Sequence, residues 1–305
     1  MKHIFIVNPA AGIGAAKKVR LPQLIQFLKE TGVDYEIHRT LNKQEVGTWT
    51  RERAAVGDAV RFYAIGGDGT ICDVVNGVIG YKNAEVAVMP CGTGNDFVKN
   101  FTNVKNFLDL KKQVAGKAVP IDVIKYNDDY CINMLNIGAD CDVVVRADEL
   151  KQAGKASGAL AYAIGALQIL PKGPKYRLAY KINGEEFEED LMLVAVANGQ
   201  FCGGGFKSCP TASLRDGLMD IGIVRPCTGT KLISMLAKYR TGTHLKDKEA
   251  DKYVKYLQLE EFDLKPISPC VVSVDGEVYD FKPMHFSVVK EGINIVIPDG
   301  SQFIL

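Results

Sequence analysis

Metal-clasp and membrane signatures are missing from this sequence. None of its eight cysteines forms a C-x-x-C pair and no histidine follows one at finger spacing, which argues against a structural zinc site. The four histidines, at 3, 38, 244 and 285, lie far apart and in no catalytic motif. No apolar run approaches the ~20 residues of a membrane span. The longest, Ala159 to Leu170, is interrupted by Gly165 and Gln168 and reads as a core helix or as part of a wall admitting an acyl chain. Neither sign of charge predominates: 37 basic side chains face 36 acidic ones, a net charge of +1, so nucleic acid is not an expected partner. Met1-Lys2-His3 runs straight into Ile4-Phe5-Ile6-Val7 without the basic leader and apolar core of an export signal. The expectation is a cytoplasmic protein with reduced cysteines and no transmembrane segment. Two nucleotide-binding motifs are also absent. Nothing fits G-x-x-x-x-G-K-[ST], and Gly12-Ile13-Gly14 is followed at the sixth place of G-x-G-x-x-G by Lys17, which disfavours a P-loop ATPase and a nicotinamide dehydrogenase.

What remains is an ordinary globular composition, 47% hydrophobic and 24% charged, over 305 residues, a length suited to two domains. In the first part short apolar runs alternate with helical patterns. Residues 3–8, 35–39, 61–65 and 86–89 read as strands; Val19 to Leu28, Val46 to Val56 and Ile71 to Ile79 read as helices. That alternation predicts a parallel sheet covered on both faces. Beyond Pro120 the runs 130–137, 176–182, 191–197, 220–224, 271–274 and 285–289 are separated by turn signals such as Asn183-Gly184 and Asp275-Gly276. They predict an antiparallel β-rich second domain, with helical insertions near 159–170 and 231–239.

Three predicted strand ends carry small, glycine-rich turns: 8–14, 66–70 and 91–96. Ligands of open parallel sheets settle at the carboxyl ends of the strands, and glycines there let backbone N–H groups approach a phosphate. One such turn is usually only a turn. Three at successive strand ends favour phosphate binding.

The residues then resemble a known family. Gly66-Gly67-Asp68-Gly69-Thr70 followed by Val74-Val75-Asn76-Gly77, and then Pro90-Cys91-Gly92-Thr93-Gly94-Asn95-Asp96-Phe97, are similar to the catalytic domain of diacylglycerol, sphingosine and ceramide kinases. The likeness continues through Asn8-Pro9-Ala10-Ala11-Gly12, Gly203-Gly204-Gly205-Phe206-Lys207, Pro210-Thr211-Ala212, Asp216-Gly217-Leu218-Met219-Asp220 and Asp275-Gly276-Glu277, nearly the whole chain. In size it resembles the soluble bacterial diacylglycerol kinases. The resemblance implies an α/β fold of the NAD kinase/diacylglycerol kinase type, with a Rossmann-like parallel-sheet domain (1–122) and an antiparallel β-rich lipid-binding domain (123–292). It also implies that a last segment (293–305) returns to the first domain and that ATP lies in the cleft between the two.

Carried over residue by residue, the resemblance assigns Asn8, Pro9, Ala10, Ala11 and Gly12, Gly66, Gly67, Asp68, Gly69, Thr70 and Asp73, Thr40, and Gly92, Thr93 and Asn95 to the nucleotide. Position 73 usually holds glutamate in the family, and Cys91 is a second departure. Phosphoryl transfer needs charge neutralisation by Mg2+, which prefers carboxylates, waters and phosphate oxygens. Asp68, Asp96 and Asp122, each near a predicted strand end, suit such a network, although Asp68 alone would pass for a turn former and Asp96 for a helix cap. Asp216, with the carbonyls of Ser213 and Leu218, matches a second, structural metal site of the soluble bacterial enzymes. The Asp275-Gly276-Glu277 turn would face the acceptor, with Glu277 or Asp275 as the base. Glu277 is favoured as the base and Asp275 as its support.

The expected activity is ATP-dependent phosphorylation of diacylglycerol or a related lipid alcohol presented at a membrane surface. A NAD kinase, a sphingosine or ceramide kinase, and a catalytically silent nucleotide-binding regulator are the alternatives. A homodimer is left open.

Overall fold

The structure, a computed structural model, describes residues 1–7, 21–40, 43–156, 158–227 and 229–304. They form two compact units, residues 1–123 with 289–305, and residues 124–288. In chain order the first part contains β1 (Lys2–Val7), α1 (Leu21–Thr31), β2 (Tyr35–Arg39), α2 (Lys43–Ala54), β3 (Val60–Gly66), α3 (Asp68–Val78), β4 (Ala84–Pro90), α4 (Leu110–Ala115) and β5 (Lys117–Tyr126). There follow β6 (Asp129–Cys131), β7 (Met134–Gly138), α5 (Ala139–Gln152), α6 (Gly158–Ile169), β8 (Tyr176–Ile182), β9 (Glu185–Leu191), β10 (Leu193–Ala197) and β11 (Met219–Val224). The chain ends with α7 (Gly229–Thr241), β12 (Val254–Leu259), β13 (Glu261–Pro266), β14 (Val271–Val274), β15 (Glu277–Asp280) and β16 (Met284–Ile297).

The first unit is built on parallel strands in the order β2-β1-β3-β4-β16, the last pairing through Asn294, Ile295 and Val296 with Glu85, Val86 and Ala87. The central strands β1, β3 and β4 are buried along nearly their whole length, as their apolar runs predict, while the edge strand β2 (YEIHR) is only half-buried. On one face Phe5, Val7, Tyr63, Ile65, Ala87, Met89 and Val296 pack with Leu24 and Leu28 of α1. That helix stops where Gly32 takes a φ of +66°, a conformation glycine adopts without strain. The sequence starts α3 at Ile71; it starts at Asp68, because the glycine turn itself supplies the first helical turn.

The second unit is a pair of antiparallel layers. One has the order β12-β11-β10-β7-β14-β15; the other runs from the first residues of β16 through β13 and β8 to β9. Leu135, Ile137, Val194, Val196, Ile221 and Ile223 of the first layer pack with Leu178, Tyr180, Phe262, Leu264 and Phe286 of the second in one apolar core. Both predicted hairpins form: Asn183 and Gly184 (φ +53° and +87°) join β8 to β9, and Asp275 and Gly276 (φ +45° and +92°) join β14 to β15. Two positive φ values in a row are what a two-residue hairpin of this twist requires. The run read as one strand over 130–137 is instead cut in two at Ile132-Asn133, whose N–H groups bond to the Asp275 side chain.

Candidate active site

Because β2, β1, β3 and β4 are parallel, the turns that follow them leave from one edge of the sheet. The winding reverses between β1 and β3, the position at which open α/β sheets hold ligands. The turn after β1, with Asn8, Pro9, Ala10, Ala11 and Gly12, lies outside the described residues. Thr40 lies just past the end of β2, buried, with its N–H donating to the Val7 carbonyl at 3.1 Å.

The turns after β3 and β4 touch backbone to backbone. The Cys91 N–H donates to the Gly66 carbonyl at 2.7 Å, and a Cβ added at Gly92 would stand 2.5 Å from the Gly67 Cα. A Cβ on Gly66 would meet Thr70 Oγ1 at 2.3 Å. Only glycine allows this approach at 67 and 92. Asn95, itself at φ +49°, ties the second turn: its Oδ1 accepts from the Gly92 N–H at 2.9 Å and its Nδ2 donates to the Gly92 carbonyl at 3.0 Å. Thr93 is exposed at the tip, and Asp73 is half-buried on α3. Cys91 is fully buried among Val7, Ile65 and Met89, so its departure from the family pattern is a matter of core packing.

Asp68 locks the two turns together. Its Oδ2 accepts from the Asp96 N–H and its Oδ1 from the Phe97 N–H, each at 3.1 Å. Asp96 Oδ1 pairs with Lys99 Nζ at 2.5 Å, and Lys99 also donates to the Gly94 carbonyl at 2.9 Å. Oδ2 of Asp96 and Oδ2 of Asp68 lie 3.1 and 3.3 Å from where a Gly94 Cβ would stand. Two carboxylates thus border one glycine. Sequence reasoning left out Gly94 and Lys99, although the i, i+3 spacing of Asp96 and Lys99 was a signal for the pair. Asp122 sits in mid-strand on β5, buried, accepting the Glu291 N–H at 2.8 Å. Among the described residues no three His, Cys, Asp or Glu side chains gather as a ligand cluster, so Asp68, Asp96 and Asp122 form no ready-made cage. Mg2+ needs none: it keeps its waters and takes one or two carboxylates beside phosphate oxygens. The Asp68 and Asp96 carboxylates beside Gly94 are of the type it takes, with the Lys99 ammonium already resting on one Asp96 oxygen.

In the second unit, Asp216 is exposed in its loop and accepts the Leu218 N–H at 3.1 Å, while Ser213 Oγ accepts from the Arg215 N–H at 3.3 Å. Asp275 is buried. Its carboxylate accepts the N–H groups of Ile132, Asn133 and Met134, each at 3.0 Å, and faces the Cys131 thiol at 3.2 Å. Burial pushes its pKa up, against the pull of those four donors. Its chemistry is that of a backbone clasp. Glu277, two residues on, is half-buried, with Oε2 accepting the Tyr279 hydroxyl at 2.8 Å. Asp140 is a further carboxylate that local sequence did not single out. Burial at the start of α5 raises its pKa to about 7, although the Cys141 N–H donates to it at 3.0 Å.

Residues 2–126 match the diacylglycerol kinase catalytic domain, and residues 133–297 match the YegS C-terminal NAD kinase beta sandwich-like domain. The diacylglycerol kinase of Bacillus subtilis (strain 168) is 27% identical over 298 residues, 96% of this chain and 95% of its own. A protein named "Probable lipid kinase YegS", from Escherichia coli O1:K1 / APEC, is 28% identical over 286 residues, 91% of each chain. Among solved structures, a diacylglycerol kinase from Bacillus anthracis str. Sterne shares the fold with a TM-score of 0.69 at 20% identity, over 98% of this chain and 97% of its own. A second chain from that organism reaches 0.75 at 22% identity, over 98% and 95%. With its halves matched in this order, the chain belongs to the family in which a diacylglycerol kinase catalytic domain is joined to a YegS C-terminal NAD kinase beta sandwich-like domain.

Proposed function

We propose that the protein is an ATP-dependent lipid kinase that transfers the γ-phosphoryl group to the hydroxyl of diacylglycerol or a related lipid alcohol, met at the cytoplasmic face of a membrane. The observation that carries this reading is the contact of Gly67 with Gly92, held by Asp68, at the edge where the sheet reverses. Gly67 caps α3 without a side chain, which leaves that helix end suited to phosphate oxygens. Gly66, Gly69, Thr70, Asp73, Thr40, Thr93, Asn95 and residues 8–12 are proposed to complete the nucleotide site. Bound there, Mg2+ would neutralise the charge that develops on the phosphoryl oxygens, with Asp68 and Asp96 as its protein ligands and Asp122 as outer support. The Asp216 loop, with the Ser213 and Leu218 carbonyls, is proposed as a separate structural metal site.

Glu277 is the proposed base, taking the proton of the acceptor hydroxyl as the oxygen attacks phosphorus. Asp275 fixes the turn that carries it. The named kinases among the relatives support the reaction class, and 27% identity leaves the acceptor to be measured. The test is radiolabelled ATP with diacylglycerol, sphingosine, ceramide, undecaprenol and NAD as parallel acceptors, with Mg2+ and with EDTA. Label on diacylglycerol that EDTA abolishes is expected. Label on NAD alone, or on nothing, would overturn the reading.

A further inference from the structure

Glu277 and Tyr279 stand two residues apart on β15, so they lie on one face of the strand, with Val278 and Asp280 on the other. Across the ladder Glu277 pairs with Val274 and Tyr279 with Val272. Paired residues share a face of the sheet. Val272 and Val274 belong to the apolar core of the second unit, so the glutamate and the tyrosine rise from the border of that core. The backbone beneath them is fixed from one side. Asp275 opens the hairpin and is itself clasped by the N–H groups of Ile132, Asn133 and Met134. That clasp sets where Glu277 begins, but it does not set where its carboxylate points.

The Tyr279 hydroxyl supplies the missing restraint. It donates to Glu277 Oε2 at 2.8 Å, the length of a good bond to an ionised oxygen. Tyrosine suits the task, because it has fewer side-chain torsions to freeze than glutamate. The ring itself is 50% exposed, so apolar burial is a poor reason for an aromatic residue at this place. A general base gains from such a hold, since catalysis by a positioned group falls steeply when the group is misplaced by a fraction of an ångström.

We infer that Tyr279 is a positioning residue whose hydroxyl holds Glu277 Oε2 and so aims the carboxylate at the acceptor hydroxyl. The inference rests on the reading of Glu277 as the base. Tyr279 keeps its own proton; the acceptor's proton passes to Glu277 as its oxygen attacks phosphorus, and ADP leaves. Tyr279→Phe keeps the ring and removes only the donor. With the acceptor that the wild type labels, its kcat should fall ~10-fold, the loss expected from one hydrogen bond to a charged group, while KM for ATP and the melting temperature stay as they are. In a Glu277→Gln background the same change should cost nothing further, because the base it aims is gone. A wild-type kcat in Tyr279→Phe overturns the inference. So does an equal further loss in the Glu277→Gln background, which would mean that the hydroxyl acts on something else. A second measurement does not need turnover. With 3-fluorotyrosine at position 279, the fluorine NMR resonance should move on Glu277→Gln and far less on Asp280→Asn, which changes the other face of β15. An unmoved resonance would show that the bond does not form in solution and overturns the inference. A resonance that moves, in a protein that phosphorylates no acceptor, would support the Tyr279–Glu277 pair and remove the kinase reading instead.

Discussion

At Gly92 one added methyl group would sit 2.5 Å from a backbone carbon of the neighbouring turn, and backbone cannot swing aside as a side chain can. Gly92→Ala should destabilise the protein by roughly 1–3 kcal/mol, the range for overpacking, and weaken ATP binding in the molecules that remain folded. Calorimetry beside a thermal melt checks both; unchanged affinity and melting would mean that the turns do not need their close approach. Asp275 and Glu277 should separate by readout. Asp275→Asn turns an NH2 group towards backbone donors, so its melting temperature should fall markedly. Glu277→Gln should melt like the wild type and lose ~10²–10⁴-fold in kcat. The reverse pattern would exchange their roles. Asp140 gives a pH signature. Its folded pKa of about 7 exceeds the ordinary carboxylate value, so the folded state holds the extra proton as pH rises from 4 to 7. Stability linked to that proton is full at low pH and lost as pH passes 7. Asp140→Asn, which never ionises, should gain in melting temperature over the wild type from pH 5 to pH 8; a constant offset would sink the assignment.

Between elements, α2 and α3 meet at a glycine. A Cβ on Gly77 would fall 1.7 Å from Thr50 Oγ1 and 2.6 Å from the Gly47 carbonyl oxygen. Gly77→Ala should cost about 1–3 kcal/mol, and adding Thr50→Ala should recover only part, since the carbonyl remains. Denaturant unfolding of the two variants reads the difference. Elements of this kind were legible where the signal is local. The strand–helix alternation, the two glycine turns after β3 and β4 and both positive-φ hairpins follow from spacing over a few residues. What escaped depends on partners far along the chain. Nothing near Ile132 announces that its N–H belongs to Asp275, 143 residues on, so the two strands β6 and β7 read as one. Nothing near Cys91 shows that it ends in the core. Asp140 is conspicuous only once burial is known.

On the scale of the molecule, the first unit is assembled from two pieces of chain, 1–123 and 289–305, with the second unit inserted between them. The late piece is no ornament: Val296 packs with Phe5 and Val7, Phe303 lies 5.1 Å from Phe101, and the Ile304 N–H donates to the Asn100 carbonyl. Residues 124–288 made alone should therefore melt cooperatively. Residues 1–123 alone should not, and adding a 289–305 peptide should restore order, followed by circular dichroism. A cooperative melt of 1–123 without the peptide would show that β4 needs no neighbour.

The same chain path sets the order of events on the ribosome. When residue 123 has been made, β4 has its partner β3 on one side, and the segment that will cover its other side is still unwritten. At about 5–20 residues per second, synthesis as far as Val296, which completes the pairing with β4, takes about 10–35 s. Throughout that interval the apolar strand Ala84–Pro90 stands at an open sheet edge, a natural foothold for a nascent-chain chaperone. The second unit, continuous in sequence, can close first, so this enzyme finishes its middle before its beginning.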